Sequence, residues 1–198
     1  MSAMANPFPE TPPTWNLPYR GKVAMAGLIV AESAIFTIFV VAYLFYVGKS
    51  LSGPTPREVL ETPIFYTICL LSSSLTVHLA TKSLARDKVG AFIGLWLLTI
   101  VLGGTFLYGT GQEWHRLIYE HGLTISTNLF GTTYYSLVGL HGFHVTAGLV
   151  MLSLVAIFAL AGRVRMQESR RVEVLAMYWH FVDAVWVVVF TVVYVLGR

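Results

Sequence analysis

Charged residues are scarce in this chain. Asp, Glu, Lys and Arg make up 12% of its 198 residues, whereas an average soluble domain has about 25%. Hydrophobic residues reach 56%, against roughly 45–50% in soluble domains. A soluble globule of this length would need polar side chains to cover its outside, while lipid is satisfied by Leu, Val, Ile and Phe. The charges also cluster between apolar runs, so the composition excludes a soluble protein and predicts an integral membrane protein.

Cysteine is almost absent as well. The single cysteine, Cys69, lies in an apolar segment, so this chain can build neither a disulfide framework nor a cysteine metal cluster. The net charge is only +3, and the basic residues stand at the ends of apolar runs, where membrane topology explains them. We therefore expect no nucleic-acid partner.

The first twenty residues have no apolar core. They are polar and contain five prolines: Pro7, Pro9, Pro12, Pro13 and Pro18. A cleavable secretory signal needs a continuous apolar region, so we interpret this stretch as an extended surface tail. We assign residues 1–22 to a proline-rich cytoplasmic tail and residues 23–198 to a transmembrane domain.

Five apolar runs are long enough to cross a bilayer, which requires about 20 residues per helix. An open strand edge would leave backbone groups unpaired in lipid, so the spans must be helices. The sequence therefore predicts an all-α integral membrane bundle of five transmembrane helices. The runs are Val23–Val47, Pro63–Leu84, Val89–Gly109, Thr132–Ala161 and Val172–Leu196.

Turn-forming residues separate the runs. Prolines and glycine in segment 53–56 interrupt the chain after the first span. Thr62 is a candidate N-cap with Pro63 at the first helical position. The longest connection is predicted between Thr110 and Asn128.

The distribution of basic residues predicts the orientation, because Lys and Arg accumulate on the cytoplasmic side. Four of the thirteen fall on the side opposite the amino terminus: Lys49, Arg57, Arg116 and Arg198. The other nine fall on the amino-terminal side: Arg20, Lys22, Lys82, Arg86, Lys88, Arg163, Arg165, Arg170 and Arg171. We therefore predict a cytoplasmic amino terminus and a periplasmic carboxyl terminus.

Ionisable and polar residues inside the spans are the candidate functional residues, because such groups are costly in lipid and usually have a partner. They are Glu32, His78, His141, His144, His180 and Asp183. At a rise of 1.5 Å per residue, three of them (Glu32, His144 and His180) fall about 12–14 Å from the cytoplasmic edge. We hypothesise that these groups form an intramembrane hydrogen-bonded network. For His78 and His141 the alternative is a packing role, which is commoner for a lone membrane histidine.

Haem ligation is a second interpretation of the histidines, since two axial histidines on facing helices would make a membrane cytochrome b. Two features argue against it. His141 and His144 lie on one helix face, and Asp183 beside His180 favours a hydrogen bond or ion pair. No cluster of histidines and carboxylates has the spacing of a zinc site. A visible spectrum of the purified chain would distinguish a cytochrome from a chain without haem.

Four stretches resemble a known family. They read YWHFVDAVWVVVFTVVY, GTTYYSLVGLHGFHVTAGL, GTFLYGTGQEWHRL and AESAIF. They are similar to the corresponding helices of subunit III of the haem-copper respiratory oxidases. The resemblance runs from about Val23 to Arg198, and it is to the short five-helix bacterial form that lacks the first two helices of longer members. It places Glu32 on the buried carboxylate of the family, His78 on a helix-ending histidine, and Glu113 and Glu173 on acidic membrane-edge positions.

The resemblance implies a supporting role in a bacterial plasma (inner) membrane complex that reduces O2 to water and pumps protons. Subunit III of this family holds no haem or copper and has no catalytic, cofactor-binding or metal-binding residue. It binds subunit I directly, beside subunit II and a small subunit IV, and the haems and copper lie in those partner subunits. It supports proton uptake, retains phospholipid and protects the enzyme during turnover.

Two local features indicate the electron donor, and they favour different donors. Glu32 favours cytochrome c oxidases, in which that carboxylate is usual, and cytochrome c is therefore our expectation. The segment GPTPREVLETP is similar to quinol oxidases, which keeps a quinol oxidase subunit III as an alternative. An accessory protein of nitric oxide reductase is a further alternative.

Overall fold

The structure, a computed structural model, describes residues 19–50 and 53–197. Most of the expected tail, residues 1–18, lies outside these ranges. All regular structure in the described residues is helical, without a strand, which confirms the predicted all-α class. The helices are α1 (Arg20–Tyr46), α2 (Pro56–Val59), α3 (Ile64–Ala85), α4 (Val89–Tyr119), α5 (Leu129–Leu160) and α6 (Ser169–Phe190).

Five of the helices are long and apolar enough to cross a membrane. The shortest of the five spans has 22 residues and the longest 32. At 1.5 Å per residue these lengths correspond to roughly 33–48 Å, which exceeds the ~30 Å hydrocarbon core. The prediction of five apolar spans is confirmed, and their length and composition are those of a multi-pass membrane bundle.

The third span does not end at Gly109, as the sequence analysis predicted, because α4 continues to Tyr119. Gly109 interrupts nothing: a Cβ atom there would overlap the ring of Tyr66 on α3. The glycine therefore allows α3 and α4 to approach closely. As a result Glu113 lies on a helix and not in a loop.

The start of α5 also differs from the prediction, by three residues. The helix begins at Leu129 because Asn128 caps it, its side chain accepting a hydrogen bond from the Gly131 amide at 2.8 Å. At the start of α3, Pro63 occupies the N-cap position and not the first helical position. Between α1 and α3 the short helix α2 follows a capping box formed by Thr55 and Glu58.

The last span begins and ends irregularly. A 3-10 turn at Met166–Glu168 leads into α6 at Ser169, three residues before the predicted start. The span continues beyond Phe190 as a wider π turn over Thr191–Leu196. Such turns are rare and often occur at functional positions.

Contacts at the helix ends define two faces of the bundle. On the first, called here the N-terminal face, Lys22 near the start of α1 forms an ion pair of 2.9 Å with Glu173 near the start of α6. On the opposite face Arg116 forms an ion pair with Glu61, and the Phe130 amide donates to Ser50 Oγ at 3.1 Å. Consecutive spans therefore run antiparallel.

One tryptophan connects four of the spans. Trp179 on α6 is fully buried, and its indole N–H donates to Ser73 Oγ on α3 at 2.8 Å. Its ring fills the space left by Gly103 on α4 and Gly148 on α5, where an added Cβ would come within 2.7 and 2.8 Å of it. Trp179 thus fixes the centre of the bundle from which the polar side chains project.

Candidate functional site

Glu32 on α1 and His144 on α5 form a pair inside the membrane. His144 Nε2 lies 3.2 Å from Glu32 Oε2, and Nδ1 lies 2.8 Å from the Leu140 carbonyl. The His144 side chain is 8% exposed and that of Glu32 23%. The histidine is therefore enclosed while the carboxylate stands partly at the bundle surface. This contact joins α1 to α5.

His141 has a different environment from its neighbour on α5. It is 1% exposed and stacks on Trp186 with ring centroids 5.0 Å apart. The rings of Phe106 and Phe36 approach it edge-on. Neither ring nitrogen has a hydrogen-bond partner among the described residues, so His141 packs as an aromatic ring.

His180 and Asp183 lie together at the contact of α6 with α3. His180 Nδ1 is hydrogen-bonded to Ser74 Oγ at 2.8 Å, and the ring of His78 lies 6.3 Å from that of His180. Asp183 is 3% exposed. Ser74 is its polar neighbour, but neither carboxylate oxygen makes a direct hydrogen bond within the described part of the chain.

The two acidic residues expected at the membrane edges lie at opposite faces. Glu173 pairs with Lys22 at the N-terminal face. Glu113 lies toward the other face, where the Tyr194 hydroxyl donates to its carboxylate with distances of 2.8 and 3.0 Å to the two oxygens. The π turn carries Tyr194, so this turn directs the phenol toward α4.

The polar side chains therefore form separate groups. No hydrogen bond between described residues joins the Glu32–His144 pair to the Ser74–His180 group. Aromatic side chains stand between them, and the Tyr178 hydroxyl reaches only the backbone carbonyl of His144, at 3.3 Å. The structure brings together one pair of the candidate residues, Glu32 with His144, and one group of three, His78, His180 and Asp183, and it leaves His141 apart.

Small polar partners were missing from the candidates chosen by sequence. Ser73 and Ser74 accept or share the hydrogen bonds of Trp179 and His180, and Thr67 Oγ1 accepts from the Trp186 indole at 3.2 Å. All three lie on α3 and face α6. Thr67 and Ser74 are seven residues apart, so they lie on one side of the helix, and this spacing is a signal that the sequence contains.

Two observations bear on metal and haem ligation. No group of three or more His, Cys, Asp or Glu side chains is positioned to hold a metal ion in the described ranges. His144 uses both ring nitrogens, one toward Glu32 and one toward the Leu140 carbonyl. It therefore offers no free nitrogen to an iron atom.

Comparison with known proteins supports the resemblance. The family model described as cytochrome c oxidase subunit III matches residues 22–198. A cytochrome c oxidase subunit 3 of Bacillus subtilis is 32% identical over 98% of this chain and 95% of the relative. One from Alkalihalophilus pseudofirmus is 34% identical over 84% of the chain and 82% of the relative.

A relative from a quinol oxidase has a comparable sequence identity. The cytochrome bo(3) ubiquinol oxidase subunit 3 of Pseudomonas aeruginosa is 36% identical over 85% of this chain and 81% of the relative. The match to the family model covers the five spans and the stretches with Glu32, His144, His180 and Asp183. The chain therefore belongs to the subunit III family of the haem-copper oxidases.

Proposed function

We propose that this chain is the non-catalytic subunit III of a proton-pumping terminal oxidase in a bacterial plasma (inner) membrane. In this role it binds subunit I directly, beside subunit II and a small subunit IV, and stabilises the catalytic subunit while supporting its proton uptake. The haems and copper are carried by the partner subunits. The family match over residues 22–198 is the observation that carries the proposal.

Exposed apolar surface on α1 supports a lateral partner. Large apolar side chains such as Val30, Ile38 and Phe45 are 59–71% exposed, and α1 packs mainly against α5 and α6. Phospholipid and a neighbouring membrane helix are the two occupants compatible with such a surface. We assign it to both, with subunit I and bound phospholipid sharing the perimeter of the bundle.

We further propose that the six intramembrane candidates serve this supporting role and perform no redox chemistry. Glu32 and His144 hold α1 on α5 through a hydrogen-bond contact within the span, where the low dielectric constant makes such a bond stronger than in water. The orientation that we propose follows the basic residues, with the N-terminal face cytoplasmic and the carboxyl terminus periplasmic. The 1–22 tail and the 23–198 membrane domain remain our assignment of domains.

The electron donor that we propose is cytochrome c. Two of the three relatives described above are named as cytochrome c oxidase subunits, and Glu32 is present. The Pseudomonas relative at 36% identity favours a quinol oxidase as the second candidate. The choice is made in subunit II, because a dinuclear copper site there accepts electrons from cytochrome c.

Purification through a tag on this chain tests the assignment. We expect a haem-containing subunit I and a subunit II to copurify, in a complex whose copper content exceeds the single copper of the catalytic centre. Copurification with haem but without the additional copper would support the quinol oxidase. Isolation with nitric oxide reductase subunits, or of the chain alone with its own stoichiometric haem, would contradict the proposal.

The Glu32→Gln variant tests the role of the pair. Glutamine keeps the size of the side chain but removes the negative charge, so we expect weaker retention of the subunit in the complex and faster inactivation during turnover. Ser33→Ala is the matched control, because its hydroxyl only bonds the Ile29 carbonyl on the same helix. Unchanged assembly, turnover lifetime and proton pumping in Glu32→Gln would reduce the pair to ordinary packing.

A further inference from the structure

A cavity opens between α3 and α6 at the N-terminal face. We call it the α3–α6 notch; it has a volume of about 300 Å³. Its polar lining includes Lys82 and Glu173 near the face, with His78 and His180 further in. The small side chains of Ala85 and Ala176 also line it. A cavity of this volume has room for water molecules.

Two rows of polar side chains, one on α3 and one on α6, lead inward from the notch. Successive turns of α3 present Lys82, His78 and Ser74, which are four residues apart and share one face. The opposing face of α6 presents His180 and then Asp183. Ser74 Oγ and His180 Nδ1 are 2.8 Å apart, so the two rows of polar side chains meet beside Asp183, whose polar neighbour is Ser74.

Asp183 is the feature that the protein contacts leave unexplained. Its side chain is 3% exposed, and both oxygens lack a direct hydrogen bond within residues 53–197. Burying a carboxyl group without a partner is costly, and a buried water with two or more polar contacts is the usual remedy. Asp183, Ser74 and His180 supply such contacts next to the end of the cavity.

We propose that the α3–α6 notch is a water-filled inlet that binds ordered water against Asp183 and lets this carboxyl group exchange protons with the N-terminal face. The titratable groups that face the path are His180 on α6 and His78 on α3, followed by Glu173 and Lys82 near the opening. Lys22 of α1 reaches the same opening through its ion pair with Glu173.

The inlet ends at Asp183 and does not cross the membrane. One turn further along the two helices stand Leu70 and Trp186, each at most 1% exposed. The Trp186 indole is held by Thr67 at 3.2 Å, which closes the seam between α3 and α6. A proton that reaches Asp183 must therefore return by the same route. This inference rests on the geometry of the chain and does not require the proposed function.

Cysteine accessibility tests whether water fills the inlet. In the full-length chain, within the complex that it purifies with, Cys69→Ser is combined with either Ser74→Cys or Leu75→Cys. Ser74 contacts His180, which lines the notch, while Leu75, at about the same depth, is 61% exposed on the outer surface of α3. A cysteine in contact with water ionises to the reactive thiolate, whereas a cysteine in lipid stays a thiol and does not react. A soluble charged reagent should therefore modify the cysteine at position 74 at least about tenfold faster than the cysteine at position 75. Equal rates would overturn the proposal.

An infrared titration keeps the test independent of whether the cysteine variants fold. The carbonyl band of a protonated carboxyl group that disappears in Asp183→Asn identifies Asp183 in the wild-type complex. We expect this band to change reversibly with pH at the N-terminal face, and to shift within minutes of exchange into D2O. A band that responds to neither shows a sealed carboxyl group and overturns the proposal.

Discussion

The three carboxyl groups inside the bundle differ in what faces them. Glu32 faces His144, Glu113 faces the Tyr194 hydroxyl, and Asp183 faces Ser74 without a direct hydrogen bond. A buried acceptor that loses its partner carries the full cost of its lost solvation, whereas the net gain from a hydrogen bond is smaller. Single substitutions at these positions therefore test separate contacts.

The Tyr194→Phe variant should destabilise the protein, because it removes the hydroxyl that bonds both oxygens of Glu113. An acceptor left unsatisfied typically costs about 1–3 kcal/mol, and we expect the lower end because a cavity beside Glu113 admits water. Thermal unfolding of the purified complex measures the effect. Tyr108→Phe is the control, since that tyrosine is 64% exposed and its hydroxyl bonds only Gln112. Equal transition temperatures for the two variants would contradict a stabilising role for the Glu113–Tyr194 contact.

At the residue level the sequence predicts depth better than partners. Helical rise places Glu32 and His144 at the same depth, and these two are in contact. The rise per residue gives the depth of a side chain but not the rotation of its helix about the axis. It therefore could not distinguish the environment of His141, which stacks on Trp186, from that of His144, which is only three residues away. The serines of α3 were overlooked for the same reason, because their value depends on which face of α3 meets α6.

At the scale of the elements, glycine is what decides how closely the helices pack. The predicted end of α4 at Gly109 was wrong because the polar, glycine-containing stretch after it was interpreted as a loop, whereas the helix continues to Tyr119 and Gly109 accommodates Tyr66. In water glycine destabilises a helix interior, but between membrane helices it permits close approach. Composition cannot distinguish the two uses, because the distinction lies in the side chain on the neighbouring helix.

Adjacent glycines on α4 provide a direct test of close packing. In Gly103→Ala the new Cβ would lie 2.7 Å from the Trp179 ring, which is too short for any real contact, whereas at Gly104 nothing lies within 4 Å. Overpacking of this kind typically costs about 1–3 kcal/mol. We therefore expect a lower transition temperature for Gly103→Ala, and an unchanged or higher one for Gly104→Ala because alanine favours the helix. The reverse order would contradict the central position of Trp179.

At the scale of the whole molecule, the charged residues are separated from the apolar spans and divided between the two faces. The N-terminal face combines an ion pair between α1 and α6, the opening of the α3–α6 notch and most of the arginines. The other face has ion pairing between α4 and the α2–α3 connection. The sequence alone predicts this asymmetry. Successive connections lie on alternating faces, so the charges of each connection can be assigned to a face without knowledge of side-chain contacts.

The orientation of the bundle can be measured with two exposed connections. In a Cys69→Ser background, Ser126→Cys labels the connection between α4 and α5, and Arg165→Cys the connection between α5 and α6; both positions are exposed. With nine of the thirteen basic residues on the N-terminal side, the positive-inside rule predicts that this side is cytoplasmic. A membrane-impermeant thiol reagent should therefore label position 126 in spheroplasts and position 165 only after lysis.

The Cys69→Ser chain without a new cysteine is the control for background labelling. Because one arginine is lost in Arg165→Cys, Met166→Cys on the same exposed connection serves as its replacement with all nine basic residues retained. Labelling of position 166 before lysis, with position 126 protected, would invert the orientation and place the inlet to Asp183 on the periplasmic side.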